Sequence, residues 1–186
     1  DATTGGIVFA GTGTLTANAG VTINDAVTAT AGNVSIDADL DNNAGGSFTL
    51  ANAVTATGRT FAITADDLVL NSTITAETIT ITDSDGGGIG LGATTDADGM
   101  DISGTELQRL TSGGTTTLAT AGIITVENIT AGNSNNITSL TLDATGLIGF
   151  SSNASTFNIL TVQSDNGINV GVAVTTDVGA LAFEAD

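Results

Sequence analysis

Six residue types are missing from this chain: cysteine, proline, histidine, lysine, tryptophan and tyrosine. Without cysteine there is no disulfide and no thiolate metal site. Without proline, no ring removes an N–H donor from a backbone ladder. Without histidine and lysine, the usual groups that activate a serine or threonine nucleophile are gone. Without tryptophan or tyrosine, no broad aromatic ring is available to stack on a sugar. Positive charge is almost absent too. Arg59 and Arg109 stand against 20 acidic residues, a formal charge of −18. Nucleic acid needs clustered Lys and Arg, so no nucleic-acid partner is expected, and anionic membrane surfaces are disfavoured for the same reason. No run of 18 apolar residues exists, so nothing here predicts a membrane-spanning helix.

What is present is a good core former. Hydrophobic residues make up 40 % of the chain, which separates it from disordered acidic sequences. Only 12 % is charged, so most of the polar surface must be Thr, Ser, Asn and Gly.

One spacing recurs. Val21, Ile23, Val27, Val34 and Ile36 stand at offsets 0, 2, 6, 13 and 15. Phe48, Leu50, Val54, Phe61 and Ile63 repeat those offsets, and so do Ile168, Val170, Val174, Leu181 and Phe183. Leu68, Leu70 and Ile74 keep the first three, and then Ile79 and Ile81 arrive two residues early. The neighbours recur as well: AVTAT at Ala26–Thr30 and Ala53–Thr57, STITA at Ser72–Ala76. A fixed repeat of this kind predicts one structural unit stacked many times.

Within the repeats, apolar residues alternate with Thr, as in Thr78-Ile79-Thr80-Ile81-Thr82. That period of two is the strand signal, and β-branched Thr and Val suit a pleated surface. Asn, Asp and Gly clusters such as Asn42–Gly46 and Asn133–Asn136 mark the turns. Short strands with frequent turns fit an antiparallel sandwich or a parallel β-helix. A sandwich has no reason to repeat its offsets. A β-helix does, because each coil must set its inward residues over those of its neighbour. Phe48 to Leu68 spans 20 residues, one coil; Val21 to Phe48 spans 27, the excess being the loop Asp39–Gly46. We therefore predict a single all-β solenoid over residues 1–186, with roughly seven to nine coils and a length on the order of 35–45 Å. LAFEAD at Leu181–Asp186 is in phase with VSIDAD at Val34–Asp39, from which a piece of a longer protein is expected.

One glycine-rich stretch, residues 86–114, breaks the pattern. Ser103 and Glu106 have capping-box spacing, and Leu107 and Leu110 would share one side of a short helix. A helical turn or two is expected at Thr105–Leu110. It reads as a lid or coil transition rather than a recognition insert.

GGSFTLANAVTATGRTFAIT, then GIGLG, then MDISGTELQRLTSGGTTTLATAGIITVENITA together resemble segments of filamentous-haemagglutinin-like bacterial exoproteins and related giant surface adhesins. The resemblance covers most of the chain. It implies a right-handed parallel β-helix, secretion, and a place in an adhesin stalk or surface fibre. No catalytic residue is carried over by it.

Residue chemistry adds few site candidates. Two carboxylates suffice for glycoside hydrolysis, but no Gly-x-Ser-x-Gly elbow occurs and Lys and His are absent. We expect no enzyme, and assign no catalytic, cofactor-binding or metal residue. Calcium is the strongest chemical candidate. Asp37, Asp39 and Asp41 alternate, as do Asp83 and Asp85, and Asp96 and Asp98 precede Asp101. Oxygen-rich loops can supply part of a calcium shell, yet DADLDNNAGGSF lacks the Gly and Glu of an EF-hand loop. Solvated turn residues explain the same pattern. Thr28-Thr30, Thr55-Thr57 and Thr73-Thr75 form matching pairs of the kind that resembles ice-binding solenoids. The N-glycosylation triplets at Asn33, Asn71, Asn128, Asn136 and Asn153 are what a Thr- and Asn-rich chain produces by chance. The expected function is a structural segment or subunit of an extracellular bacterial fibre, surface layer or adhesin stalk, self-associating through its ends. A carbohydrate- or ice-binding adhesin module is the alternative.

Overall fold

The computed structural model describes residues 5–43, 45–93 and 99–186. It is a parallel β-solenoid. The first coil holds β1 (Ile7–Phe9) and β2 (Gly13–Thr16). The second holds β3 (Val21–Ile23), β4 (Val27–Ala29) and β5 (Val34–Asp37). The third holds β6 (Phe48–Leu50) and the long bent β7 (Val54–Ala65). The fourth holds β8 (Leu68–Leu70) and β9 (Ile74–Asp83). The fifth has two strands in place of one, β10 (Ile89–Gly92) and β11 (Met100–Ser103), then α1 (Gly104–Gln108) and β12 (Leu110–Thr120). The sixth holds β13 (Ile124–Glu127), α2 (Ala131–Ser134) and β14 (Ile137–Ala144). The seventh holds β15 (Ile148–Phe150), β16 (Ser155–Phe157) and β17 (Leu160–Ser164). The eighth holds β18 (Ile168–Val170), β19 (Val174–Thr176) and β20 (Leu181–Ala185).

The pairing follows the offsets. Val21 lies opposite Phe48, and Phe48 opposite Leu68. Val27 faces Val54, which faces Ile74. The longest column runs Leu15, Ile36, Ile63, Ile81, Leu118, Leu142, Val162, Phe183. Eight rungs at about 4.8 Å make a stack about 34 Å tall. All pairs are parallel because each strand returns to the same wall after a full coil.

Coil lengths differ, and bulges absorb the difference. Ala56 faces Ala76 and Thr60 faces Thr78, so Thr57, Gly58 and Arg59 oppose a single residue. Gly58 takes a positive φ of 69° there. This is why Ile79 and Ile81 stand two positions early in sequence and still lie in column. A smaller bulge at Gly113–Gly114 folds over Glu77.

The core is one apolar cluster running through all the inner coils. Phe48, Phe61, Phe150 and Phe157 are its largest buried side chains. Each such group contributes about 1.5–3 kcal/mol when fully buried. Two details show packing by rung. In the second to fourth rungs Ala29, Ala56 and Ala76 accompany Val34, Phe61 and Ile79. In the first rung the sizes are exchanged: Phe9 sits over Ala29, and its ring fills the space a Cβ on Gly13 would need. In the fifth rung the same two places hold Ser112 and Thr116, whose hydroxyls bond at 2.9 Å inside the core.

Within residues 86–93 and 99–114 the segment is largely regular. Its two strands, β10 and β11, pair with each other, with Ile89 opposite Met100 and Leu91 opposite Ile102. Spatially β11 lies outside sequence order, so the wall runs β11-β10-β13-β15-β18. The helix ends at Gln108 rather than Leu110, since Leu110 already pairs with Ile74. Ser103 and Glu106 form the expected capping box.

Candidate functional site

Three features of the surface are chemically distinct: an acidic corner, a threonine ladder, and the open last coil.

The acidic corner lies where β5, β7 and β9 turn toward the opposite wall. Column neighbours there are small, Ala65 beneath Asp83 and Ala144 above Thr120. Asp83 is 4 % exposed. Its Oδ2 accepts from the Thr120 hydroxyl at 2.6 Å and the Gly88 N–H at 3.1 Å, while its Oδ1 is buried without a partner. Burial raises the Asp83 carboxyl above its ordinary value; the Thr120 and Gly88 bonds pull it down, and the Asp85 carboxylate pushes it up again. Asp66 is raised too, by burial first and then by Asp85, Asp39 and Asp67.

The corner needs glycine for a steric reason. A Cβ on Gly122 would strike the Gly86 carbonyl oxygen, and one on Gly146 the Gly122 carbonyl. The coils approach each other there along their backbones. Gly146 N–H donates to Gly122 O at 2.9 Å, and the Ser164 hydroxyl donates to Gly146 O at 2.8 Å.

The aspartates singled out as calcium candidates are used as turn fasteners. Asp37 accepts from the Asp39 N–H at 3.2 Å, and Asp41 from the Asn43 amide at 2.8 Å. Asp39 is fully buried and accepts from the Ser84 hydroxyl at 2.7 Å. Asp85 accepts from the Gly87 N–H at 2.9 Å. Asp101 donates its backbone N–H to the Asp67 carboxylate at 3.3 Å. Asp96 and Asp98 lie outside the described residues. Among the described residues, no three acidic side chains are grouped to hold a metal ion.

Glu106 and Arg109 act together. The Glu106 carboxylate accepts from the Leu70 N–H at 3.1 Å, and the Arg109 guanidinium donates to the Leu70 carbonyl. They close the edge of β8 where no strand among the described residues pairs with it. Leu107 is buried beneath them. Next to α1 lies α2, with Asn133 donating to the Gly104 carbonyl at 3.0 Å. Asn136 and Asn158 extend this series to Gln108 O and Ile137 O, each at 2.9 Å.

The threonine ladder runs along the wall formed by β9, β12, β14 and β17. Thr80, Thr117, Thr141 and Thr161 are in register with side chains facing outward. The pairs chosen from the sequence also align in part, with Thr28, Thr55 and Thr75 in one column.

At the last coil a groove of about 340 Å³ is lined by Asp143, Gln163, Ser164, Asp165, Glu184 and Asp186. It is polar and acidic and has no ring to support a sugar. Beside it the core opens to solvent. Phe183 is 42 % exposed where Val162 below it is 0 %, and Val170 is 48 % exposed over Phe150 at 1 %.

Comparison with protein-family models, with curated proteins and with solved structures found no match to this chain. The fold and these three features are therefore the ground for a functional reading.

Proposed function

We propose that this chain is a non-enzymatic, rigid segment or subunit of an extracellular bacterial fibre, surface layer or adhesin stalk. The observation that carries this reading is the unbroken column from Leu15 to Phe183, one aligned side chain per rung over eight rungs. Nearest-neighbour stacking of this kind makes stability and length grow together, which suits a spacer. At the acidic corner Asp39, Asp83 and Asp85 accept turn and core hydrogen bonds rather than lining a cleft. The likeness to haemagglutinin-type exoproteins supports export. The test is antibody labelling of intact source cells with electron microscopy. Label on fibres or on the outer surface is expected. Label reached only after permeabilisation overturns the reading.

A second reading is a carbohydrate- or ice-binding adhesin face. The Thr80–Thr161 ladder favours it, because it is a regular hydroxyl array on one wall. Thr117→Lys and Thr141→Lys would break that array without touching the core. Loss of ice-growth inhibition or of glycan-array binding in these variants supports this reading, and absence of both activities in the unaltered protein removes it.

A further inference from the structure

We propose that Asp83 Oδ1 and the Asp85 carboxylate form a binding site for one calcium ion at the turn 83–88. The two oxygens of Asp83 are used unequally. Oδ2 accepts from the Thr120 hydroxyl at 2.6 Å and the Gly88 N–H at 3.1 Å. Oδ1 is shut off from solvent and accepts from nothing, on a side chain only 4 % exposed. A buried carboxylate oxygen without a donor costs free energy unless a positive group meets it. The Asp85 side chain lies within hydrogen-bonding reach of the Asp83 carboxyl. Asp85 is itself held by the Gly87 N–H at 2.9 Å. Two carboxylates thus converge, and with Oδ2 taken by two donors, Oδ1 is the oxygen left for a cation.

The field around the pair has one sign. The charges acting on Asp83 and on nearby Asp66 are those of Asp85, Asp39 and Asp67, with no positive side chain among them. Both cations of the chain are engaged elsewhere, Arg59 on the Gly58 and Thr30 carbonyls and Arg109 on Leu70 O. Asp83, Asp85 and Gly88 also stand at the first, third and sixth places of the EF-hand loop spacing, and the Gly88 N–H closes back on Asp83. Gly87 occupies the fifth place, where an EF-hand carries another oxygen ligand. Among the described residues no third acidic side chain joins the pair. Two negative charges balance one divalent ion, and an affinity on the order of 10⁻⁴–10⁻³ M follows from so few charged ligands. The donors select the ion. The chain has no His or Cys, and oxygen ligands suit a hard cation. Reaching an enclosed oxygen requires dehydration, which magnesium resists and calcium, with its adaptable shell, does not.

The experiment uses the whole chain at neutral pH, stripped of metal with a chelator, and follows urea unfolding by circular dichroism. Calcium chloride at about ten times the expected dissociation constant is compared with the same concentration of magnesium chloride and with sodium chloride of equal ionic strength. The sodium control is needed because a chain of charge −18 gains stability from screening alone. Calcium is expected to raise the folded-to-unfolded ratio about tenfold over that control, and magnesium by less. Asp83→Asn and Asp85→Asn each exchange a charged ligand for an amide of the same shape and should lose most of the gain. Glu77→Gln, near the other end of β9, should keep it. Isothermal titration should give one calcium per chain, absent in both Asn variants. If Asp83→Asn does not fold, Asp85→Asn, on the partly exposed side of the turn, decides alone. Equal stabilisation by calcium and by matched sodium chloride overturns the site, and so does a calcium gain that survives in the Asn variants. Neither result touches the rod reading above, which is tested by surface labelling.

Discussion

The two main walls of the solenoid are built differently. The wall through β7, β9, β12, β14, β17 and β20 is continuous from the first coil to the last. The opposite wall is split into a three-stranded piece, β3-β6-β8, and a five-stranded piece starting at β11. At the split, side chains replace the ladder: Asp67 accepts from Asp101 N–H, Glu106 from Leu70 N–H, and Arg109 donates to Leu70 O. The lesson is that a solenoid tolerates an inserted strand where a few polar side chains can satisfy the exposed edge. The apolar columns admit a polar rung only where its groups satisfy each other, as Ser112 and Thr116 do, because every inward place is also a wall for the rungs on both sides.

The comparison can be broken from either wall. The largest effect is expected in the continuous one. Leu118→Asp places an unpaired carboxylate at a fully buried rung and should cost more than about 4 kcal/mol, enough to lose cooperative urea unfolding followed by circular dichroism. Phe61→Ala in the same wall should cost about 3–5 kcal/mol by the same measurement. At the split, Glu106→Ala should cost about 1–3 kcal/mol, since it strands the Leu70 N–H. Hydrogen exchange at Leu70 should then speed up while the Leu142 amide is unchanged. Equal exchange at both sites in the variant would show that the split is not an independent weak point.

The acidic corner gives a smaller and pH-dependent effect. Asp83 and Asp66 have folded values above the ordinary 3.8. The folded state therefore holds their protons more tightly than the unfolded chain does. That stabilisation is fully present below about the ordinary carboxylate value and is lost as pH rises through the raised folded values. Urea midpoints should accordingly rise as pH falls from neutral toward that window. Asp83→Asn should flatten the slope and be more stable than the original protein at neutral pH. A midpoint in that variant with the original pH slope would place the titration elsewhere. The smallest effect is expected at the surface: Thr161→Val, outward in the continuous wall, should stay within about 0.5 kcal/mol.

How far these walls could be read in advance depends on the residue type. The columns Val21–Phe48–Leu68 and Ile36–Ile63–Ile81 were legible because inward places demand apolar side chains and nothing else along the coil does. The capping box at Ser103 was legible for a similar reason, a fixed geometry with few residue choices. The split was not. GGGIGLG and MDIS both alternate, and nothing in either announces that β11 tucks between β8 and β10. The second helix was missed because Asn133 replaces the usual Glu of the capping pattern. Ser112 and Thr116 read as wet-face residues, since a hydroxyl pair satisfied inside the core looks the same in sequence as two solvated ones. Asp83 ends a Thr-Ile-Thr strand and reads as a solvated turn; the Thr120 hydroxyl, 37 positions away, and the Gly88 N–H make its burial tolerable. The sequence does carry a glycine signal: Gly88, Gly122, Gly146 and Gly167 each precede a strand of the split wall by one or two residues.

The Thr57–Arg59 bulge carries a wider implication. Spare residues collect at one outward kink, and the rungs on either side keep their register. Coils of unequal size can thus share one tower, much as courses of mixed stone share a wall when the mortar joint varies. A gene coding for such a tower can gain or drop a few codons at that kink, and the floors above and below stay level.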